Sequence, residues 1–175
     1  VVNETVVLTL LLQEPKHGYR LLEEADLLIG PDETFDTKRL YTTLRRLEEK
    51  GAVAAATEPS PRRGAPQRKV YSITPAGFDL LRELIADPGN ALDRRRFFVS
   101  LSLWILIPGA ARRLLLAKRG EWLDAERRHM EAVAALPQHT AWSQAVYSFQ
   151  LRQVEEERRW LEDLAREMGI HDADD

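Results

Sequence analysis

Apolar and polar positions recur along this chain with a helical period almost throughout. In residues 4–13 (ETVVLTLLLQ), Val6, Val7, Leu8, Leu10, Leu11 and Leu12 cover nearly the whole circumference of a helix. A helix apolar on all sides is buried on more than one side, so this one calls for a second domain or a second subunit beside its own small core. Pro15 ends it and Gly18 marks a turn. From Tyr19 to Leu28, Leu21, Leu22, Ala25 and Leu28 recur between Glu23, Glu24 and Asp26, the pattern of an amphipathic helix closed by Gly30 and Pro31. A third helix runs from Asp36 or Thr37, either a suitable N-cap, to Lys50, with Gly51 in the C′ place. Its Leu40, Leu44 and Leu47 form a core stripe, while Lys38, Tyr41, Thr42, Arg45 and Glu49 fall on the opposite arc, with Arg46 at its edge.

Two short runs break the helical period. Val53–Thr57 and Lys69–Thr74 read as strands of a hairpin whose long tip, EPSPRRGAPQR, is basic. Thr74 then caps a helix with Pro75 in its first turn and Phe78, Leu81, Leu84 and Ile85 as its stripe. Three helices, two strands and a helix in about 85 residues describe a winged helix-turn-helix. Asp87-Pro88-Gly89-Asn90 is a domain boundary by composition, and everything beyond it reads as helix. Phe97, Phe98, Leu101, Trp104 and Ile105 share one face; after Pro108-Gly109 a long helix carries Leu115, Leu116, Trp122, Leu123 and Met130. Past Pro137, a last helix from Ala141 to Met168 sets Tyr147, Val154, Leu161 and Met168 at seven-residue intervals, the spacing of a coiled-coil seam. Trp142, Phe149 and Trp160 lie mostly off that seam. The expected fold is mainly α: residues 1–88 a winged helix-turn-helix, and residues 91–175 an antiparallel helical dimerisation domain. Val6 and Leu10, with Tyr147, Val154, Leu161 and Met168, are the expected dimer contacts.

Charge sharpens this picture. The net charge of −3 divides into −5 over residues 1–35, +5 over residues 36–75 and −3 over residues 76–175. A basic island in an acidic chain is the electrostatic footprint of a polyanion site. Lys38, Tyr41, Thr42 and Arg45 would reach base edges and backbone from the third helix, and Arg62, Arg63, Arg68 and Lys69 would grip phosphates or the minor groove from the hairpin. His17 and Tyr19 flank the start of the second helix, where backbone N–H groups favour a phosphate; the alternative is a satisfied turn histidine beside a core tyrosine.

Other chemistries find no support. Without cysteine, disulfides and thiolate metal sites are excluded. His17, His129, His139 and His171 are scattered, and no HExxH, Gly-rich phosphate loop or Gly-x-Ser-x-Gly is present, so no catalysis, metal or cofactor is expected. The longest apolar stretch, Phe97–Ile107, is interrupted by Ser100 and Ser102 and falls short of the roughly 20 residues that span a bilayer. No secretory signal opens the chain, so the expected place is the cytoplasm, at the nucleoid and away from membrane.

These residues resemble the PadR family of bacterial transcriptional regulators. VVLTLLLQEPKHGYRLLEEA is similar to that family's first two helices with their His-Gly-Tyr turn, RLYTTLRRLEEKGAV to its recognition helix, and RRGAPQRKVYSITPAG to its wing and the Tyr-Ser-x-Thr-Pro-x-Gly signature. FFVSLSLWILIP and the helix around WLDAERRHME resemble the dimerisation domain of long-form members. Ala52 stands where a larger aliphatic residue is usual, which predicts a loosely packed strand start. The resemblance implies a homodimeric repressor on a double-stranded DNA operator with inverted half-sites. It further implies that some members respond to phenolic or other planar compounds, for which Phe97, Trp104 and Trp122 are the candidate pocket. The competing reading is a winged-helix module used only for protein–protein assembly, which leaves the basic hairpin without a role.

Overall fold

The computed structural model describes residues 2–29, 35–58, 68–136 and 140–169. Contacts divide the chain into two compact units, residues 1–85 and 86–175. The first holds α1 (Val2–Leu10), β1 (Lys16–His17), α2 (Gly18–Ile29), α3 (Thr37–Glu49), β2 (Val53–Glu58), β3 (Arg68–Ile73) and α4 (Pro75–Ala86, its last residue in the second unit). Helices α1, α2 and α3 pack on one another, burying Leu8, Leu21, Ile29, Leu40, Leu44 and Leu47. Each such side chain contributes about 1.5–3 kcal/mol of transfer free energy.

Local chemistry sets the ends of α3. Asp36 caps it by accepting a hydrogen bond from the Arg39 amide at 2.7 Å, and Gly51 follows it at φ 67°, a left-handed conformation natural to glycine. Strand β3 lies between β1 and β2, antiparallel to both. The pair Lys16 and His17 opposite Tyr71 and Val70 is a third strand where the sequence pattern showed only a turn. Thr74 joins sheet to helix: its hydroxyl accepts from the Gly77 amide at 3.1 Å and donates to the Gly51 carbonyl at 2.6 Å. Contrary to the expectation of loose packing, Ala52 is fully buried. A Cβ at Gly77 would lie 2.0 Å from its carbonyl oxygen, so α4 crosses close over the start of β2.

The second unit is helical: a 3-10 turn at Pro88–Leu92, α5 (Arg94–Ser102), a second 3-10 turn at Trp104–Leu106, α6 (Gly109–Ala134) and α7 (Ala141–Glu167). Asp93 caps α5 through the Arg96 amide, and Thr140 caps α7 through the Ser143 amide. Because α5 stops at Ser102, the expected single apolar face is broken and Ile105 is exposed. Helices α6 and α7 form an antiparallel hairpin, in which Arg119 meets Glu157 and Asp124 meets Arg158.

The heptad stripe of α7 faces this hairpin. Leu161 is buried against Gly120, and Val154 lines a cleft with Trp122, Leu123 and Met130 of α6. Tyr147 is half-buried, and Met168 is the exposed C-cap of α7. Within the chain, Leu161 and Val154 of that stripe thus meet α6. Val6 is likewise buried within the chain, whereas Leu10 keeps part of its surface.

Candidate nucleic-acid interface

Four residues expected to read DNA lie together on the outer face of α3. Lys38, Tyr41, Thr42 and Arg45 are all exposed, opposite the buried Leu40, Leu44 and Leu47. The Arg45 guanidinium rests 3.1 Å from Glu49 one turn on. An ion pair this exposed is worth at most about 1 kcal/mol, so a phosphate or guanine can draw the guanidinium away.

Tyr41 leans from α3 over the first residue of α2. A Cβ at Gly18 would sit 2.7 Å from the Tyr41 hydroxyl, so the absence of a side chain at Gly18 makes room for that phenol. At this junction opens a concavity of about 540 Å³ lined by His17, Gly18, Tyr19, Tyr41, Arg68, Lys69 and Tyr71. Strand pairing explains the convergence: β1 delivers His17 beside β3, which carries Arg68, Lys69 and Tyr71, and α2 starts at the next residue.

Five of the residues expected from the sequence (His17, Tyr19, Tyr41, Arg68 and Lys69) thus share one site, and Gly18 and Tyr71 join them unannounced. Tyr19 is 72% exposed, so it is not a core residue. Its hydrogen bond to Glu23 and the charge of that carboxylate hold the phenol above its ordinary range, keeping it a neutral donor. Burial, followed by the charge of Glu48, pushes the Tyr71 phenol up as well. His17 Nδ1 is shielded from solvent and has no hydrogen-bond partner among the described residues. A buried polar atom in that condition asks for a partner. Arg62 and Arg63 lie outside the described residues.

Sequence reasoning missed the support of this site. Lys16 is buried, with its ammonium 3.0 Å from Glu24 and 3.4 Å from Glu14, and Arg20 reaches the same two carboxylates at 2.7 and 2.8 Å. Burial alone would raise the Glu24 carboxyl, but the hydrogen bonds and charges of Lys16 and Arg20 outweigh it and hold the group below its ordinary value. This cluster ties β1 to α2.

The aromatic residues expected to form an effector pocket are each set against a guanidinium. Phe97 and Trp122 both give a ring face to the Arg119 guanidinium, at 5.3 and 4.5 Å from their centroids. Trp104 is covered separately by Arg112 at 5.2 Å. Of the three, Trp122 borders the cleft between α6 and α7. Among the described residues no group of side chains could hold a metal ion, and no helix is long and apolar enough to cross a membrane.

Residues 7–83, which contain the whole of this site, match the family model of the transcriptional regulator PadR-like family. The chain belongs to the PadR-like family. Among solved structures, the PadR family transcriptional regulator of Eggerthella lenta shares 33% identity over 47% of this chain and 70% of its own, with a TM-score of 0.38. A putative transcriptional regulator of Thermoplasma acidophilum shares 25% identity over 58% of this chain and 91% of its own, at a TM-score of 0.44. Bacillus subtilis PadR, solved in complex with operator DNA, shares 16% identity over 94% of this chain and 97% of its own, at a TM-score of 0.42. No curated protein matches the chain. Within the PadR-like segment, the wing strands and the His-Gly-Tyr turn form one surface with the third helix, which the linear motifs by themselves do not display.

Proposed function

We propose that this PadR-like chain represses transcription as a homodimer bound to an inverted-repeat operator in double-stranded DNA. Residues 1–88 read the duplex and residues 91–175 hold the two copies together. Helix α3 of each copy enters a major groove, with half-sites about 10 bp apart or a multiple of that. Lys38, Thr42 and Arg45 meet base edges, and Arg62, Arg63, Arg68 and Lys69 hold the adjacent backbone. Tyr41, Tyr19 and His17 take a phosphate at the start of α2. The observation that carries this reading is Tyr41, which belongs both to the exposed face of α3 and to the cation-lined concavity beside the wing.

Because Leu161 is buried against α6, the second copy is proposed to cover a further face of α7. Trp142 is 85% exposed, and Val146 and Phe149, four and seven residues on, share its helix face and are exposed too. A contiguous apolar stripe of this kind marks an interaction surface. Release by a small aromatic effector is part of the proposal. Its place is the cleft where Trp122 stands with Met130, Val154, Gln150 and Gln153. The site of action is the cytoplasm.

A gel-shift titration on the DNA upstream of the chain's own gene, at two salt concentrations, tests the core of the reading. Arg45→Ala should weaken specific binding alone, by about 1–3 kcal/mol. Arg68→Ala and Lys69→Ala should weaken all duplexes alike and each reduce the salt slope by about one unit. Unchanged affinity after joint replacement of Lys38, Thr42 and Arg45 by alanine would show that α3 is not the reading head.

A further inference from the structure

The concavity at the start of α2 is larger than a grip on one backbone phosphate requires. At about 540 Å³ it falls within the range of clefts that enclose small molecules, roughly 300–1,000 Å³. Its lining is also one-sided. Arg68 and Lys69 are cations, no carboxylate stands among the lining residues, and Tyr19, Tyr41 and Tyr71 bring three aromatic rings. Positive charge beside aromatic rings is the pairing that holds a nucleotide: the cations take the phosphate, and a base lies on a ring face.

The lining groups supply both halves of that recognition. Tyr19 is exposed and its hydroxyl is bonded to Glu23, so the ring is what it offers a ligand. The Tyr41 hydroxyl stands over Gly18, the first residue of a 12-residue helix whose leading amide groups favour an anion. Arg68 and Lys69, both exposed, bring their charge from β3 to the same place. Burial keeps the Tyr71 phenol neutral, so it sets no negative charge against an arriving phosphate. His17 adds Nδ1, shielded from water and without a partner among the described residues, an atom that a ligand hydroxyl or an ordered water would satisfy.

We propose that this concavity binds a free nucleoside monophosphate, with its phosphate held by Arg68, Lys69 and the Tyr41 hydroxyl and its base on the Tyr19 ring. The same cations and the same phenol are assigned above to the operator backbone, so a bound nucleotide and a duplex exclude one another. That exclusion rests on the operator reading; the binding itself does not. Operator occupancy then falls as the nucleotide concentration rises.

Isothermal titration calorimetry on the full chain without DNA comes first, with adenosine monophosphate, adenosine and inorganic phosphate as probes. The monophosphate should bind about tenfold or more tighter than either fragment, since stacking of the base and the phosphate grip are each worth about that factor. Joint replacement of Arg68 and Lys69 by alanine should bring the monophosphate down to the level of adenosine. Tyr19→Ala removes an exposed side chain, so the fold is kept, and it should bring the monophosphate down to the level of inorganic phosphate. Arg45→Ala lies outside the concavity and should leave the monophosphate within about twofold of wild type. Displacement of a labelled duplex, selected by the wild type from a random-sequence pool, follows by fluorescence anisotropy at constant ionic strength. The monophosphate should release the duplex, and an equal concentration of inorganic phosphate should not.

A monophosphate that binds no tighter than inorganic phosphate overturns the inference, because only a phosphate grip is then left. Binding untouched by both sets of substitutions overturns it too, since the ligand then sits elsewhere. A duplex that stays bound at saturating monophosphate removes the exclusion, and with it the shared use of Arg68 and Lys69. Duplex binding without monophosphate binding overturns this inference and leaves the operator reading intact. Monophosphate binding with no duplex binding does the reverse: the nucleotide site stands and the operator reading falls.

Discussion

Replacing Gly18 by alanine should separate folding from DNA binding. The new Cβ would lie 2.7 Å from the Tyr41 hydroxyl oxygen and 3.3 Å from Cζ, where an ordinary contact is 3.4–4 Å. The phenol must retreat by roughly 1 Å, at about 0.5–1.5 kcal/mol if its rotamer is strained. Removing a glycine returns about 0.4–1 kcal/mol by restricting the unfolded chain. The two effects nearly cancel, so the melting temperature should move by no more than about 2–4 °C. Binding has no such offset. A hydrogen bond to a charged phosphate is worth about 1.5–3 kcal/mol, so displacing the Tyr41 hydroxyl should weaken each half-site by about 10- to 150-fold. Fluorescence anisotropy on a labelled half-site duplex, beside a thermal melt followed by circular dichroism, measures both quantities. A double-mutant cycle identifies the cause: Tyr41→Phe removes the clashing hydroxyl, so adding Gly18→Ala to it should cost less than about twofold. Equal losses of Gly18→Ala in both backgrounds, or an unchanged affinity with an unchanged melt, would refute the reasoning.

Gly77→Ala should cost about 1–3 kcal/mol or more, because its Cβ would meet the Ala52 carbonyl oxygen at 2.0 Å and the Ile73 side chain at 2.9 Å, and backbone must shift. Gly120→Ala meets nothing nearer than 3.8 Å and should stabilise by up to about 1 kcal/mol, so urea unfolding of the two variants should give opposite signs. The lowered Glu24 carboxyl makes a stability contribution that is present above its ordinary value of 4.5 and lost as the pH falls through the lowered one. Glu24→Gln should therefore be less stable than wild type at pH 7 and converge with it in acid. A constant difference across that range would remove Glu24 from the acid response.

Features made by near neighbours in the chain were legible without coordinates. The cap at Asp36, the leucine stripe of α3 and the glycine at Gly51 are set by contacts within a few residues, and they put Lys38, Tyr41, Thr42 and Arg45 on one face. The basic island located the wing in the same way. Strand β1 was invisible because two residues carry no period; it exists through its pairing with β3, more than fifty residues on. The same limit applies to Gly18, whose lack of a side chain matters only because Tyr41 comes to rest above it.

The amino-acid order by itself determined which segments are helices, which faces are apolar and where positive charge gathers, since periodicity, caps and charge are properties of a chain read locally. Tertiary structure alone decided what meets each face. Spacing shows that α7 has a seam, and the return of the chain after α6 brings part of it, Leu161 and Val154, against that helix, while Trp142, Val146 and Phe149 are exposed. Arg119 looks like one more surface cation in the sequence. Only the convergence of Ala91, Phe97, Trp122 and Glu157 turns it into a buried joint, because burial and pairing arise between residues that lie far apart along the chain.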